Sequence, residues 1–384
     1  MTQVAIVADD LTGAFDAAAP FAARGLATEV ATTPESLSAD SDVVSLTTAS
    51  RHLPSGDAQA AVKVGCAALA RLAPAVWFKK IDSTLRGNVA VELVAALAAS
   101  GRGELVVAPA VPSQGRTVAG GEVRVHGVPL AQTEFVHDAV AAASARPLAA
   151  QLGAVDPSLV CQAVNGEPPR NGRRAWIADA ADDADLAAIA DWALRRADTA
   201  LLAGAAGLGT ALAGALAPQP VSLALPGAAA KPILTVLGSR AAVGRRQAAA
   251  LLARGDCEDW LAPGGRLALD GVAAGSGDAL LRVPTAETEL PADAVAAALG
   301  RSVAAVLERR PFGTLLVTGG NTAAAVLAAL GSGLVRLFGE VAPGVPLSRL
   351  CHRGRPLWLV TKAGGFGSDD LFARLPALLG AAGA

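Results

Sequence analysis

Short apolar runs alternate along the chain with longer segments rich in Ala and Leu that have helical periodicity. Buried parallel strands are encoded as short continuous apolar runs, and the helices that connect them as amphipathic segments. The alternation is therefore typical of an α/β protein with largely parallel sheets flanked by helices. The chain has 384 residues, which is more than one hydrophobic core ordinarily holds, so we expect two domains rather than a small binding module.

In the first half of the chain, the pattern predicts strands and helices in turn. The predicted strands cover residues 3–8, 28–31, 42–47, 76–81, 104–110 and 199–203. The predicted helices cover residues 14–24, 57–71, 88–99, 182–196 and 208–216. A Gly-rich stretch over residues 115–129 is more typical of a hairpin or an extended loop than of a helix.

Prolines interrupt the pattern after residue 217, and it restarts at residue 233. Because domain boundaries fall in such segments, we expect domains at residues 1–217 and 233–384 with a linker at 218–232. In the second domain the predicted strands cover residues 233–237, 314–318, 335–338 and 357–361, and the predicted helices 241–254, 292–309, 322–330 and 368–379. Residues 263–291 are rich in glycine, and their weak periodicity assigns no element.

Composition narrows the class of protein. The 32 Lys and Arg residues nearly balance the 34 Asp and Glu residues, and there is no Tyr. Nucleic-acid surfaces are basic and often stack bases on aromatic rings, so we do not expect a nucleic-acid partner. The four Cys residues form no metal-binding or disulfide pattern. Glycine, proline or charge interrupts the apolar stretches before the length of about 20 residues that spans a membrane, so we expect a soluble cytoplasmic protein without a membrane partner.

Two acids and a glycine turn follow the first predicted strand, in the sequence Asp9-Asp10-Leu11-Thr12-Gly13. Ligands of open parallel sheets bind beyond the carboxyl ends of the strands, which makes this segment a candidate binding site. The alternative for Asp10 or Thr12 is a plain helix N-cap. Two adjacent acids do not both cap one helix, so we expect at least one of them to have another role.

A denser polar cluster follows the fourth predicted strand. Its members are Lys79, Lys80, Asp82, Ser83, Thr84 and Arg86. A strand-to-helix turn presents backbone N–H groups to an anion, and the added cations suit a phosphate or a carboxylate. Asp82 is available there as a base or a metal ligand, and the alternative is a solvated loop with a capping side chain. Residues 109–117, 133–135 and 137–138 follow later and are candidates for the walls of a substrate pocket.

Three glycine-bearing turns follow strands in the second half. They are Gly238-Ser239-Arg240, Thr318-Gly319-Gly320-Asn321-Thr322 and Lys362-Ala363-Gly364-Gly365. Glycine lets backbone N–H groups approach a polyphosphate, and Ser, Thr and Lys can complete such a cradle. The turns could therefore converge on one nucleotide, and the alternative is that each is an ordinary tight turn. No P-loop is present, and Leu212 stands where a dinucleotide fingerprint beginning at Gly207 needs a small residue.

Taken together, these motifs resemble the four-carbon acid sugar kinase family, which includes kinases of threonate, erythronate and 3-oxo-tetronate. The resemblance covers both halves of the chain. Its motifs are residues 8–14 with Asp16, 79–88, 109–117, 127–130 with 133–135, 237–240, 318–320, 339–346 and 361–367. It implies an N-terminal sugar-acid domain, a C-terminal nucleotide domain and an active site in the cleft between them, with ATP and Mg²⁺ as cofactors.

Carried over by residue, the resemblance places the sugar acid and the nucleotide on different sets of residues. The sugar acid is expected on Asp9 or Asp10, Arg51 and the turn Lys80, Ile81, Asp82 and Ser83. ATP is expected on Ser239, Gly319, Gly320, Asn321, Thr322, Lys362, Gly364 and Gly365. The family usually has an acid where this chain has Asn321, and the resemblance identifies no metal ligand.

The expected reaction is phosphorylation of the terminal hydroxyl of a four-carbon sugar acid by ATP. We expect Arg51 and Lys80 to hold the substrate carboxylate or the γ-phosphate, and Arg86 to neutralise charge in the transition state. Asp82 or Asp10 is expected to orient and deprotonate the hydroxyl. The alternatives are a kinase of another small hydroxy acid such as glycerate, or a non-catalytic sensor of nucleotide or sugar acid. A homo-oligomer is left open.

Overall fold

The protein is described from a computed structural model over residues 2–137, 142–170, 172, 174–272, 275–284 and 290–380. The chain divides into two compact units, Met1–Val221 and Ser222–Ala384, here called the N-terminal and C-terminal units. Each unit is built on a mostly parallel sheet with helices between the strands, which confirms the predicted α/β class. Within the ranges just given, every helix is too short or too polar to cross a bilayer.

The N-terminal unit is a doubly wound sheet with a small separate hairpin sheet. Its strands are β1 Val4–Ala8, β2 Thr28–Ala31, β3 Val43–Thr47, β4 Val76–Lys80, β5 Glu104–Ala108, β6 Arg116–Ala119, β7 Glu122–Val125, β8 Val128–Pro129, β9 Val160–Val164, β10 Arg174–Ala178 and β11 Ala200–Gly204. Its helices are α1 Leu11–Ala22, α2 Ser55–Ala70, α3 Val89–Ser100, α4 Leu148–Val155, α5 Asp183–Leu194 and α6 Ala206–Leu216. The main sheet is parallel throughout in the order β2-β3-β1-β4-β11-β5-β10-β9, and β6 to β8 form the antiparallel sheet.

Strand β1 lies inside this sheet, between β3 and β4, and is buried along its whole length. After β1 the chain builds β2 and β3 on one side, and it then crosses to place β4 on the other side. The connections that follow the adjacent strands β1 and β4 therefore run in opposite directions, which makes a topological switch point. Ligands of doubly wound sheets bind at this point, beyond the carboxyl ends of the strands. The ends of β1, β3 and β4 thus define where a site is expected.

The C-terminal unit is a second sheet with a parallel and an antiparallel part. Its strands are β12 Ile233–Leu237, β13 Cys257–Leu261, β14 Asp278–Arg282, β15 Thr314–Thr318, β16 Leu334–Ala342, β17 Val345–His352 and β18 Arg355–Lys362. Its helices are α7 Ala242–Leu252, α8 Ala292–Arg309, α9 Gly320–Ala329 and α10 Leu371–Leu378. The order is β13-β14-β12-β15-β18-β17-β16, parallel as far as β18 and antiparallel from there. The switch point of this sheet lies between β12 and β15.

The sequence pattern missed α4 and five strands, namely β9, β10, β13, β14 and β17. Strands β9 and β13 lie at sheet edges and are largely exposed, so they lack the apolar run that marks a buried strand. Strand β14 lies in the glycine-rich stretch that received no assignment. Four predicted strands were too long, because β1 and β3 begin at Val4 and Val43, β4 ends before Ile81, and β5 ends at Ala108. Helix α1 begins three residues earlier than predicted, at Leu11.

Lys79 and Lys80 point to opposite faces of the main sheet, because successive side chains of a strand alternate. The Lys79 side chain enters the core, where its Nζ lies 2.8 Å from Oε2 of Glu92 and the two side chains are 0% and 2% exposed. The Ser50 hydroxyl donates to the other Glu92 oxygen at 2.8 Å. Lys79 therefore belongs to a buried ion pair under the sheet and not to the polar edge where the sequence placed it.

Replacing Glu92 by Gln should destabilise the protein, because it leaves the Lys79 ammonium buried without a counter-charge. We expect the free energy of unfolding to fall by about 3–5 kcal/mol, measured by urea denaturation. The control is Glu308→Gln, which removes an exposed partner of Arg353 and should change stability little. Equal effects of the two substitutions would contradict the assignment of a buried, stabilising ion pair.

Candidate active site

The Arg51 guanidinium joins the ends of three neighbouring strands of the N-terminal unit. Its Nε and Nη2 donate to the two carboxylate oxygens of Asp9, at 2.7 and 2.9 Å. Its Nη1 donates to Asp10 at 2.7 Å and lies 4.0 Å from Oδ1 of Asp82. Arg51 follows β3, the two adjacent acids follow β1, and Asp82 follows β4. One cation thus fixes the polar side chains of the switch point relative to each other.

Asp10 is both an N-cap and a partner of Arg51. Its backbone is extended, and its side chain accepts from the Gly13 N–H at 2.8 Å and from the Thr12 hydroxyl at 2.7 Å. The N-cap alternative therefore holds for Asp10 and not for Thr12. Asp9 is bound by Arg51 instead, and although its burial opposes ionisation, the charges of Arg51 and of nearby lysines hold the pKa of Asp9 below its ordinary value.

Asp82 is held by its own turn. It accepts from the Thr84 N–H at 3.1 Å and from the Thr84 hydroxyl, and Arg86 donates to its two oxygens at 3.0 and 2.9 Å. Burial alone would raise the pKa of this carboxyl, but the hydrogen bonds of Arg86 and the charge of Arg51 outweigh it and hold the pKa well below the ordinary range. Asp82 is therefore a carboxylate whose oxygens are already occupied.

Lys80 lies on the face of β4 opposite to Lys79 and reaches helix α1. Its Nζ donates to the carbonyl oxygen of Ile81 at 3.0 Å and lies 4.0 Å from Oδ2 of Asp16. Burial raises the pKa of Asp16, with Lys80 opposing the shift and Asp10 adding to it. In the same turn Ile81 is buried, while Ser83 is half-buried. The structure thus brings all the expected sugar-acid residues to one edge.

Gly87 allows the turn after β4 to pass close to Arg51. It has a φ of +83°, and a Cβ at this position would lie 2.9 Å from both Cγ and the carbonyl oxygen of Arg51. Leu85, two residues earlier, also has a positive φ, of 55°, which is uncommon for a residue other than glycine. Asn88 ties the turn to the loop after β3 by donating to the carbonyl oxygens of Ser50 and Leu53, at 3.2 and 2.8 Å.

Two residues of the expected pocket walls lie beside the Asp82 turn. The ring centroid of Phe135 is 6.0 Å from the Arg86 guanidinium. Arg116 begins β6 and donates to the Gln114 carbonyl oxygen at 2.7 Å; burial lowers its pKa, and the nearby charge of Asp82 opposes this. Arg116 was expected only as part of a pocket wall, and its place beside the Asp82 carboxylate was not predicted. Asp138 lies outside the described residues.

The three glycine-bearing turns of the C-terminal unit contact each other. The Gly319 N–H donates to the Lys362 carbonyl oxygen at 2.9 Å, which joins the turns after β15 and β18. A Cβ on Gly364 would lie 2.2 Å from Oγ of Ser239, which brings the turn after β12 to the same place. Gly319 heads helix α9 with a φ of +91°. Backbone close to a serine hydroxyl at a helix N-terminus can receive a phosphate, so the turns fit a nucleotide.

Two polar residues of this region have partners that the sequence did not show. Lys362 is buried with its Nζ 5.6 Å from the Phe372 ring centroid and 3.3 Å from the Gly364 carbonyl oxygen, and burial lowers its pKa to about 8. Asn321, where the family usually has an acid, donates from Nδ2 to Asp293 at 2.9 Å. An acid at position 321 would face Asp293 with like charge, so the amide is the residue that suits this neighbour.

No group of three or more His, Cys, Asp or Glu side chains able to hold a metal ion occurs in the described part of the chain. This does not conflict with a kinase, because Mg²⁺ keeps several waters and binds largely through the phosphates of its nucleotide. Among the residues that the structure describes, no protein ligand for Mg²⁺ is identified.

Comparison with known proteins finds two family models that match different parts of the chain. Residues 4–212 match a family model described as a sugar-binding N-terminal domain, and residues 234–372 match one described as a nucleotide-binding C-terminal domain. Proteins named D-threonate kinase from Salmonella typhimurium and Bordetella bronchiseptica are 31% and 34% identical to this chain; the matches cover 96% and 97% of it and 96% of each relative. The chain belongs to the four-carbon acid sugar kinase family.

Further similarities support the family and its fold. A 3-oxo-tetronate kinase from Methylobacterium radiotolerans is 32% identical over 96% of this chain and 97% of its own. A crystal structure of a Haemophilus influenzae protein has the same fold, with a TM-score of 0.75 at 20% identity over 98% of this chain and 100% of its own. As a member of this kinase family, the protein is a phosphotransferase with an alcohol group as acceptor.

Acid should weaken the fold at this edge, because Asp9 and Asp82 have pKa values below the ordinary 3.8 in the folded protein. Their contribution to stability is complete above that value and is lost as the pH falls towards their folded pKa values. Asp82→Asn removes one of these groups, so the difference in unfolding free energy between wild type and variant should shrink below about pH 4. Urea denaturation from pH 6 to pH 3 measures it.

The control for this measurement is Asp40→Asn, because Asp40 is an exposed aspartate of the same unit. Its unfolding free energy should follow that of the wild type across the whole pH range. A constant difference between wild type and Asp82→Asn, as far down as pH 3, would show that the Asp82 carboxylate is not selectively stabilised in the folded state.

Proposed function

We propose that this chain uses ATP to phosphorylate the terminal hydroxyl of a four-carbon sugar acid, with D-threonate as the first candidate. The observation that carries the proposal is the polar edge of the N-terminal unit, where Arg51 gathers three carboxylates beside further cations at the switch point of the sheet. The names of the relatives support threonate, since two proteins with 31% and 34% identity are D-threonate kinases.

The sugar acid has a carboxylate and several hydroxyls, and the edge has a group for each. In this proposal Lys80 and Arg51 bind the substrate carboxylate or an incoming phosphate, because both cations lie at the switch point. Asp9 and Asp10 accept hydrogen bonds from sugar hydroxyls, and Arg51 fixes their oxygens in place. Ser83, half-buried on the same turn, adds a further polar contact.

ATP binds in the C-terminal unit in this proposal. Backbone N–H groups of Gly320 and Gly364 approach its phosphates, and the Ser239 hydroxyl adds a side-chain donor. Gly319 supports them by donating its N–H to the Lys362 carbonyl oxygen. Lys362 supplies a nearby cation, since a pKa of about 8 leaves it mostly protonated at neutral pH. Mg²⁺ bound with ATP neutralises charge on the phosphates, and the protein's share of the rate comes from positioning and from fixed charges.

Arg86 and Asp82 have distinct roles in this account. Asp82 orients Arg86 through two hydrogen bonds, and Arg86 neutralises charge that develops on the transferring group. The role of proton acceptor, expected for Asp82 or Asp10, is not favoured by the geometry. The oxygens of both carboxylates already accept hydrogen bonds from arginine and from their own turns.

The proposal predicts ADP release that depends on a sugar acid. A coupled assay with ATP and Mg²⁺ is run with D- and L-threonate, D- and L-erythronate, their 3-oxo forms and glycerate. We expect turnover with D-threonate and at least tenfold lower kcat/KM with glycerate, because the shorter acid leaves polar groups of the site unpaired. Turnover only with glycerate would overturn the substrate class, and ATP binding without ADP release on any acid would favour a sensor.

The nucleotide half of the proposal is tested by Gly364→Ala. The new methyl group would displace the Ser239 hydroxyl from its present position, 2.2 Å away, so we expect KM for ATP to rise about tenfold or more while KM for the sugar acid changes little. Gly153→Ala is the control, because its new methyl group meets nothing within 4 Å. An unchanged KM for ATP in Gly364→Ala would contradict nucleotide binding at these turns.

A further inference from the structure

Asp16 lies on the one half-exposed stripe of an otherwise buried helix. In α1 the residues Thr12, Asp16 and Pro20 are partly exposed, and the residues between them are buried. These three positions are four residues apart, so they share one face of the helix. At one end of the stripe the Thr12 hydroxyl donates a hydrogen bond to Asp10 of the polar edge. Further along it, Nζ of Lys80 from β4 lies 4.0 Å from Oδ2 of Asp16. Asp16 is therefore a partly accessible carboxylate within the site.

Four carboxylates collect at this edge, and three of them already have their oxygens occupied. Asp9 accepts two hydrogen bonds from Arg51, while Asp10 accepts from Arg51 and the first turn of α1. Asp82 accepts from Arg86 and its own turn. Asp16 differs from all three, because it accepts no hydrogen bond from any residue that the structure describes. Its nearest cation, Lys80, is 4.0 Å away, beyond hydrogen-bond distance.

We propose that Asp16 accepts the proton of the hydroxyl that becomes phosphorylated, a role that rests on the proposed kinase function. The substrate O–H bond breaks and its proton passes to a carboxylate oxygen of Asp16. The hydroxyl oxygen forms its new bond to the γ-phosphorus of ATP, and the bond from that phosphorus to the β,γ-bridging oxygen breaks to release ADP. Asp16 then returns the proton to water, which balances the reaction.

The surroundings of Asp16 suit a group that changes protonation state. The charged groups that face it are Lys80 from β4 and Asp10 from the turn before α1. Burial and Asp10 raise the pKa of Asp16, while Lys80 keeps it from rising further. Proton acceptors work best when their pKa is closer to the working pH than that of an ordinary aspartate. The opposite shift at Asp82, whose pKa is lowered, suits an orienting carboxylate and not a proton acceptor.

The test compares Asp16→Asn, Asp82→Asn and a control, Asp40→Asn, which alters an exposed aspartate of the same unit. Steady-state kcat and KM for D-threonate are measured with ATP and Mg²⁺ from pH 5 to pH 9. Asp16→Asn should lower kcat by about 10²–10⁴-fold with KM for D-threonate changed less than about threefold. The wild type should lose activity at acid pH as Asp16 is protonated, and Asp16→Asn should lack this dependence, while Asp82→Asn and Asp40→Asn should keep it.

Two results would overturn the assignment while leaving the kinase function intact. One is a kcat of Asp16→Asn within threefold of the wild type, and the other is a raised KM with unchanged kcat, which would make Asp16 a binding residue only. If Asp16→Asn does not fold, Asp16→Glu replaces it. A lowered kcat that still falls at acid pH supports the proposal, and a kcat equal to that of the wild type contradicts it. A wild-type enzyme inactive on every tetronate would instead reject the proposed function on which this inference rests.

Discussion

The N-terminal unit depends on one constraint, which is that the buried charges around Arg51 must satisfy each other. The Arg51 side chain is 12% exposed, and it neutralises Asp9 and Asp10 while lying 4.0 Å from Asp82. Unpaired charges in such a place are costly, so the loops after three strands are held in one arrangement. Gly87 is part of the same constraint, because a side chain there would collide with Arg51. The polar side chains of this edge are thus held in position by contacts within the protein, and such positioning is what phosphoryl transfer depends on.

Most of the parallel core was predictable from sequence, since a strand buried on both faces is encoded as an apolar run. Strands β12 and β15 and helix α8 occur with the bounds predicted for them. The pattern missed the exposed edge strands β9 and β13, and it also missed the buried strands β10 and β14. Strand β17 was missed because Pro346, Ser348 and Arg349 interrupt its apolar run. Such strands are specified by pairing with a neighbour, and pairing leaves little trace in a local sequence window.

The segments that form the candidate site were predictable to a similar degree, and the contacts between their side chains were not. The rule that ligands bind beyond strand ends was enough to select the segments around Asp9, Asp82 and Ser239. It could not show that Lys79 pairs with Glu92 in the core, because that depends on which face of β4 each lysine takes. The same rule could not assign different roles to the aspartates of this edge. That separation rests on which oxygens accept hydrogen bonds, and this is decided by contacts between distant parts of the chain.

The edge organised by Arg51 is proposed to bind the sugar acid. Calorimetric titration of D-threonate into the nucleotide-free protein, in wild type and Arg51→Lys, measures this binding. Lysine keeps the positive charge but cannot hold Asp9 and Asp10 through a planar fork, so we expect at least about tenfold weaker binding in the variant. Binding of D-threonate with the same affinity in both proteins would show that Arg51 does not organise the sugar-acid site.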